Sequence, residues 1–380
     1  MAKGLVSDTN LTAIANAIRT KNGSSDRYTP ATMAQAISDI PTSQVDQETA
    51  LQYMLNNKTD YTGVAAGLTT LTTLPTFTQP SGIQNFYSSF RGCSSLTSAT
   101  IDISSGKSFQ YMFADCSNLT TVNIGQTISG LIEPAHMFDG CSKLTTFPIL
   151  DGVSGTDFSY VFSGCSKLTS MSIRFSSAVT TTMANLFYKC SNLEQVTISG
   201  SGSRVTNISQ MFRGCSKLNL ASVTLPGFSA CQDCSYIFQD CKAITSVPNT
   251  IFSKIVNTGT TNIRGMCGGC TALQTFSATT NYTQSVTTFA TMFSGCSNLT
   301  TVSKMNMSSV GNVGLVNMFK DCSSLSSTSL DNILSSLLTA TSFAGTKTLK
   351  NIGLSSTQAT TCTGLSNWAA LSAAGWTTGY

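Results

Sequence analysis

The sequence predicts an α/β solenoid of about ten coils, each a strand plus a short helical turn, with a parallel β-sheet along one face. Three observations predict it. Ten of the 14 cysteines recur at near-equal spacing, each sits in the same apolar frame, and each is followed by residues alternating between apolar and polar.

The cysteines are Cys93, Cys116, Cys141, Cys165, Cys190, Cys215, Cys241, Cys270, Cys296 and Cys322, with successive intervals of 23, 25, 24, 25, 25, 26, 29, 26 and 26. Such spacing implies one coil per repeat. The shared frame is Met-Phe-x-Gly-Cys-Ser-x-Leu-Thr-x-Val-x-Ile, as from Met112 and Phe113 to Ile124, and nine of the ten coils place Phe three residues before the cysteine. After the cysteine, Leu119, Val122 and Ile124, or Leu193, Val196 and Ile198, set one face of a strand inward and turn the intervening residues to solvent. Before it, apolar residues such as Phe109, Met112 and Phe113 fit one face of a short helical turn. The residue just before the cysteine is Gly in six coils, Asp in three and Lys189 in one, which predicts a turn with positive φ.

The ends depart from the repeat. Leu68 stands in the cysteine's place 25 residues before Cys93, which marks a degenerate first coil. Residues 331–338 read as a helix, and the segment bearing Trp368 and Trp376 replaces the repeat; terminal caps are what a solenoid needs to cover its open core. Nearer the N-terminus, Leu11, Ile14, Ala15 and Ile18 form an apolar stripe behind Asn10, and Thr29-Pro30 opens a second helix carrying Met33, Ile37 and Ile40. A third helix is predicted over about 46–57. The expected divisions are residues 1–42, a helical anchoring module; 43–60, linker and capping helix; 61–330, the solenoid; and 331–380, the C-terminal cap.

Composition excludes several function classes. Only 10% of residues are charged and the net charge is +4, with no basic cluster to meet a run of phosphates, so no nucleic-acid partner is expected. No apolar window is long enough to insert in a membrane. The N-terminus lacks the apolar stretch of a secretory signal, which predicts a chain made in a cytoplasm. With one histidine, His136, a Ser-His-Asp or Cys-His nucleophile has little to be built from, and no enzymatic activity and no cofactor are expected. His136 itself sits at a variable polar position five before Cys141.

The cysteines read as buried free thiols. Equivalent side chains on stacked coils lie about 4.8 Å apart and parallel, where a disulfide wants converging Cβ atoms roughly 3.5–4.5 Å apart. The pairs Cys231/Cys234 and Cys267/Cys270 have the outline of a zinc site, but Cys234 and Cys267 fall in repeat positions that other coils fill with core residues, so no metal is expected. The extended candidate binding surface is the strand face five and seven residues after each cysteine: Thr121, Asn123, Ser170, Ser172, Gln195, Thr197, Ser246, Thr275, Ser277, Thr301 and Ser303. These would stack as hydroxyl and amide ladders. A second, smaller candidate is a row of rings from Tyr111, Tyr160 and Tyr236, each five before its cysteine.

The repeated Met-Phe-x-Gly-Cys-Ser-x-Leu-Thr unit over about residues 61–330 resembles the BspA-type leucine-rich repeats of bacterial surface proteins and phages. That resemblance implies an adhesion or interaction protein built as a leucine-rich-repeat solenoid. The segments 11–19 and 28–37 resemble a two-helix module of phage tail and other virion proteins. Together they imply a virion component, a tail fibre or capsid decoration assembled in the host bacterial cytoplasm. Leu11, Ile14, Ile18, Met33, Ile37 and Ile40 would then anchor it to other virion proteins, and its solenoid would meet a host-surface glycan or protein. A homo-oligomer, such as a trimer formed through the N-terminal helices, is compatible with this reading, as are a purely architectural role and a bacterial adhesin exported by another route.

Overall fold

The computed structural model describes residues 44–124, 133–147, 150–175, 179–257, 259–260, 262–277 and 285–380. The anchoring residues Leu11, Ile14, Ile18, Met33, Ile37 and Ile40 lie outside these. The chain forms two compact units, Met1–Leu168 and Thr169–Tyr380, each a parallel-sheet β-solenoid.

In the first unit, helix α1 (Gln44–Asn57) buries Leu51, Met54 and Leu55 against the first coil. Buried Tyr61 follows, its hydroxyl donating to the Leu55 carbonyl. Leu68 occupies the cysteine position, and Thr73, five residues on, pairs in parallel with Ser98. Strand β1 (Ser98–Thr100) pairs with β2 (Thr121–Asn123) in the register Ser98 to Thr121 and Thr100 to Asn123. Strand β3 spans Leu150–Val153.

In the second unit, β4 (Ser170–Phe175), β5 (Gln195–Ser199) and β6 (Val223–Thr224) form one parallel sheet. A second sheet comprises β7 (Ser246–Val247), β8 (Thr275–Phe276) and β9 (Thr301–Val302). The longest cysteine interval, 29 residues from Cys241 to Cys270, holds helix α2 (Asn249–Ile255), which buries Ile251, Phe252 and Ile255. The cap consists of α3 (Ser327–Leu338), α4 (Ser356–Cys362) and α5 (Trp368–Ala373). Helix α3 closes the open edge of β9 with side chains: Ser329 and Ser336 Oγ accept from the N–H groups of Val302 and Met305, each at 2.9 Å. A bare edge would leave those donors unpaired and available to another strand.

Two expectations need correction. The segment before each cysteine is a run of tight turns rather than a helical turn. Residues five and one before the cysteine take left-handed φ, as at Ser88 (53°) and Gly92 (73°), Tyr111 (59°) and Asp115 (63°), or Gln210 (56°) and Gly214 (78°). A right-handed helical turn cannot continue through such residues. Alternate N–H groups serve two ladders: Phe90 and Gly92 donate to the next coil at Met112 and Ala114, while Arg91 and Cys93 donate back to Ser88 and Phe90. Regular coils are also fewer than ten. After Cys141 the strand is delayed, β3 beginning nine residues on at Leu150, and after Cys322 comes α3 in place of a strand.

The core is a column of rings. Phe90, Phe113, Phe138 and Phe162 stack in the first unit at 5.3, 5.6 and 5.7 Å between centroids, and Phe187, Phe212 and Phe238 at 5.7 and 5.9 Å in the second. One coil per ring makes each coil depend on its neighbour for burial.

Candidate strand-face site and its surroundings

The repeat's conserved-looking polar positions divide by what they hold. Thiols of the repeat cysteines donate to the carbonyl three residues before the preceding cysteine position: Cys93 to Ala65 (3.1 Å), Cys116 to Phe90 (3.0 Å), Cys141 to Phe113 (3.1 Å) and, in the second unit, Cys241 to Phe212 and Cys322 to Phe293, both 3.0 Å. The Phe90 carbonyl already accepts the Cys93 N–H, so the Cys116 thiol fills its second lone pair. A small apolar residue with a weak donor suits that place. Serines after the cysteine bond likewise, Ser142 to the Ser117 carbonyl and Ser166 to that of Ser142, both at 3.1 Å. Thr97 and Thr120 hydroxyls reach the carbonyls of Thr72 and Thr97 at 3.0 and 2.8 Å. These columns tie coil to coil.

The strand face stands apart from them. In the first unit Thr121 and Asn123 are exposed on β2 on either side of buried Val122. In the second, Ser170, Gln195 and Thr197 are exposed and Ser172 half-buried on β4 and β5, in the register Ser170 to Gln195 and Ser172 to Thr197. Ser246, Thr275 and Thr301 form a further row across β7, β8 and β9, with Ser277 and Ser303 just beyond their strands. The result is rows of hydroxyl and amide groups about 4.8 Å apart. The same rule of five and seven places Ser98 and Thr100 on this face, exposed on β1 and missing from the expected set. Exposed Arg174 and Thr224 belong to it as well. Thr224 escapes the spacing rule because a 3-10 turn at Leu220–Ser222 delays β6, pairing Val223, eight residues after Cys215, with Val196, six after Cys190.

Two of the three tyrosines, Tyr111 and Tyr160, fall in the first unit. Tyr111 and Tyr160 sandwich His136, at 4.6 and 4.5 Å with interplanar angles of 16° and 8°. The Arg91 guanidinium lies 5.1 Å from the Tyr111 ring centroid. Both faces of the His136 ring are thereby covered. His136 is thus a stacked, part-buried member whose Nδ1 lies 2.8 Å from Asp139 Oδ2, in place of the variable polar surface expected of it. Tyr236 lies in the second unit, with Arg213 5.8 Å from its ring. Its ring crosses Gly265, where an added Cβ would come within 2.4 Å.

All 14 cysteines are buried and free. Burial pushes the Cys93 and Cys322 thiols up to about 12 and Cys362 to about 11, and raises Cys116 and Cys141 further. Cys231 and Cys234 approach to 3.2 Å between sulfurs, but Cys234 donates to the Ile255 carbonyl and Cys270 to that of Phe238. Among the described residues, no three His, Cys, Asp or Glu side chains gather as metal ligands, and no helix is long and apolar enough to cross a membrane.

Among curated proteins, none matches the chain. Solved structures similar to it include a leucine-rich repeat protein of T. pallidum, 16% identical with a TM-score of 0.34 over 60% of this chain and 86% of that one. Another is a leucine-rich cell surface protein of Faecalibacterium prausnitzii, 19% identical with a TM-score of 0.28 over 61% and 78%. A leucine-rich repeat protein of Eubacterium ventriosum is 19% identical, with a TM-score of 0.30 over 61% and 72%. Residues 232–353 also match a family described as a Mycoplasma protein of unknown function. Six copies of the BspA type leucine rich repeat region match residues 68–157 and 134–260, together more than half of the chain, and the protein belongs to that family.

Proposed function

We propose that this is a non-catalytic binding protein that presents the polar strand face of its solenoid units to an extended, uncharged glycan on a host surface. The observation that carries the reading is the registered row of exposed Ser, Thr, Asn and Gln side chains at coil spacing, nearly free of formal charge. Hydroxyls and amides both donate and accept, which matches a polyhydroxylated chain, whereas a protein partner would favour charge complementarity and aromatic anchors. Repetition adds many weak contacts along one ligand, so affinity comes through length. Attachment to a phage virion through residues 1–42 is part of the proposal; its support is the pair of apolar stripes at Leu11 to Ile18 and Met33 to Ile40.

Glycan-array binding of the full chain tests the reading. Thr121→Lys and Thr197→Lys, at exposed positions where a long charged side chain fits without disturbing the core, are expected to weaken binding at least tenfold with Tm unchanged. Binding equal to the unsubstituted protein overturns the strand-face assignment, as does binding to protein surfaces in the absence of any glycan signal. Antibody raised against residues 61–380 is expected to label intact particles, and failure to label them removes the virion part.

A further inference from the structure

At the first coil of the first unit, the strand face is not flat. The chain after Thr73 borders a half-open cavity of about 450 Å3, lined by Thr73, Pro75, Phe77, Ser98, Thr100 and Asp102 among others. This wall is fixed at both ends. Helix α1 holds it from behind: Gln52 Nε2 donates to the Thr76 carbonyl, and Asn56 Oδ1 accepts from the Thr78 N–H at 2.6 Å. At the far end Gln79 Nε2 donates to the Asp102 carbonyl at 2.5 Å. The opposite wall is set by the parallel pairing of Thr73 with Ser98.

The lining is divided by chemistry. Three strand-face hydroxyls, Thr73, Ser98 and Thr100, lie on one side, and the half-buried Pro75 and Phe77 supply apolar surface. Asp102 contributes the single charge; its Oδ1 accepts from the Ser104 N–H at 2.9 Å. Gln79 Oε1 is buried without a hydrogen-bond partner. Buried acceptors of this kind are rare in folded proteins, and this one belongs to a residue of the cavity wall.

We propose that this cavity binds a single neutral pyranose unit, the seat for one residue of the glycan that the strand face carries, and so the inference rests on that reading. A pyranose has an apolar C–H face and a hydroxyl edge, and the cavity offers a surface for each. Its volume falls within the range of roughly 300–1,000 Å3 common to small-molecule sites. Asp102 accepts hydrogen bonds from hydroxyl groups and repels a carboxylate, so neutral sugars are selected over uronic and sialic acids.

Saturation-transfer NMR on the full chain tests this, with methyl β-glucopyranoside, methyl β-galactopyranoside and methyl β-glucuronide as probes. Transfer to the ring C–H protons of at least one neutral glycoside is expected, with the glucuronide at least fivefold weaker. Phe77→Ala is expected to weaken the neutral glycoside tenfold or more. Asp102→Asn, which keeps the acceptor for Ser104, is expected to abolish the preference against the glucuronide. Should Phe77→Ala lower Tm, Thr100→Val serves instead, with a threefold or greater loss. Absence of transfer from both neutral glycosides, or unchanged binding in Phe77→Ala or its substitute and in Asp102→Asn, overturns the pocket. Array binding that survives such a result leaves the strand-face reading standing, whereas loss of both signals removes the two together.

Discussion

The thiol column makes the protein sensitive to alkali in a way that can be worked from the structure. In the first unit Cys93, Cys116 and Cys141 are fully buried, and all three thiols are raised, Cys93 to about 12, from an unperturbed value of 9.0. Burial is the largest cause in each, because a thiolate there would lose its hydration. Between 9 and 12 the folded protein keeps protons that the unfolded chain releases, so the stabilisation is whole below pH 9 and is lost as pH rises through this window. Each thiol contributes a slope of about 1.4 kcal/mol per pH unit, and three together remove about 4 kcal/mol by pH 10. That is a large part of the 5–15 kcal/mol or so that holds an ordinary domain. Thermal unfolding followed by circular dichroism between pH 7 and 10.5 should show Tm falling steeply above pH 9. Cys141→Val loses a weak hydrogen bond to Phe113 and is expected to start about 1 kcal/mol lower at pH 7. Its pH dependence should be shallower by one thiol. Parallel curves for the two proteins, or native thiols that alkylate at pH 8 as fast as a free one, would refute the buried protonated column.

Other consequences follow from single contacts. Phe113→Ala empties a ring site between Phe90 and Phe138 and should cost about 3–5 kcal/mol in urea unfolding. Gly200 has a φ of 88°, and an added Cβ would lie 2.1 Å from the Phe175 carbonyl oxygen; Gly200→Ala should therefore destabilise by about 2–4 kcal/mol, and a neutral effect would contradict that close approach. Ser329→Ala with Ser336→Ala uncovers the N–H donors of Val302 in β9 and of Met305 just beyond it, which should promote self-association by light scattering at an unchanged helix content. Prolonged dialysis against a chelator should leave Tm unchanged, and stoichiometric zinc in the purified protein would overturn the packing account of Cys231, Cys234, Cys267 and Cys270.

Much of the fold is written in the spacing of the cysteines. Phe three before, Leu three after and the Val-x-Ile alternation are positions that must face inward in every coil, so their period is visible without coordinates. Gly or Asp before the cysteine marks one left-handed residue, because few other side chains tolerate that conformation. The second, five residues before, carries Ser88, Tyr111, His136, Gln210 and Tyr236, a mixed set that hides the shared backbone state. Its apolar neighbours then read as a helical turn, and the ladders that replace the helix are decided only when coils stack.

The candidate site divides in the same way. Positions five and seven after the cysteine are set by strand alternation, which is local and therefore legible. Thr224 is displaced by the Leu220–Ser222 turn, and the wall of Pro75 and Phe77 is held by Gln52 and Asn56 of α1 and by Gln79 on the Asp102 carbonyl. Sequence alone determined which residues repeat, since each coil must solve the same burial problem. Tertiary structure decided which polar residues hold the coils together and which are left to solvent, because a hydroxyl's hydrogen-bond partner on the preceding coil lies some 25 residues away and leaves no mark in the local pattern.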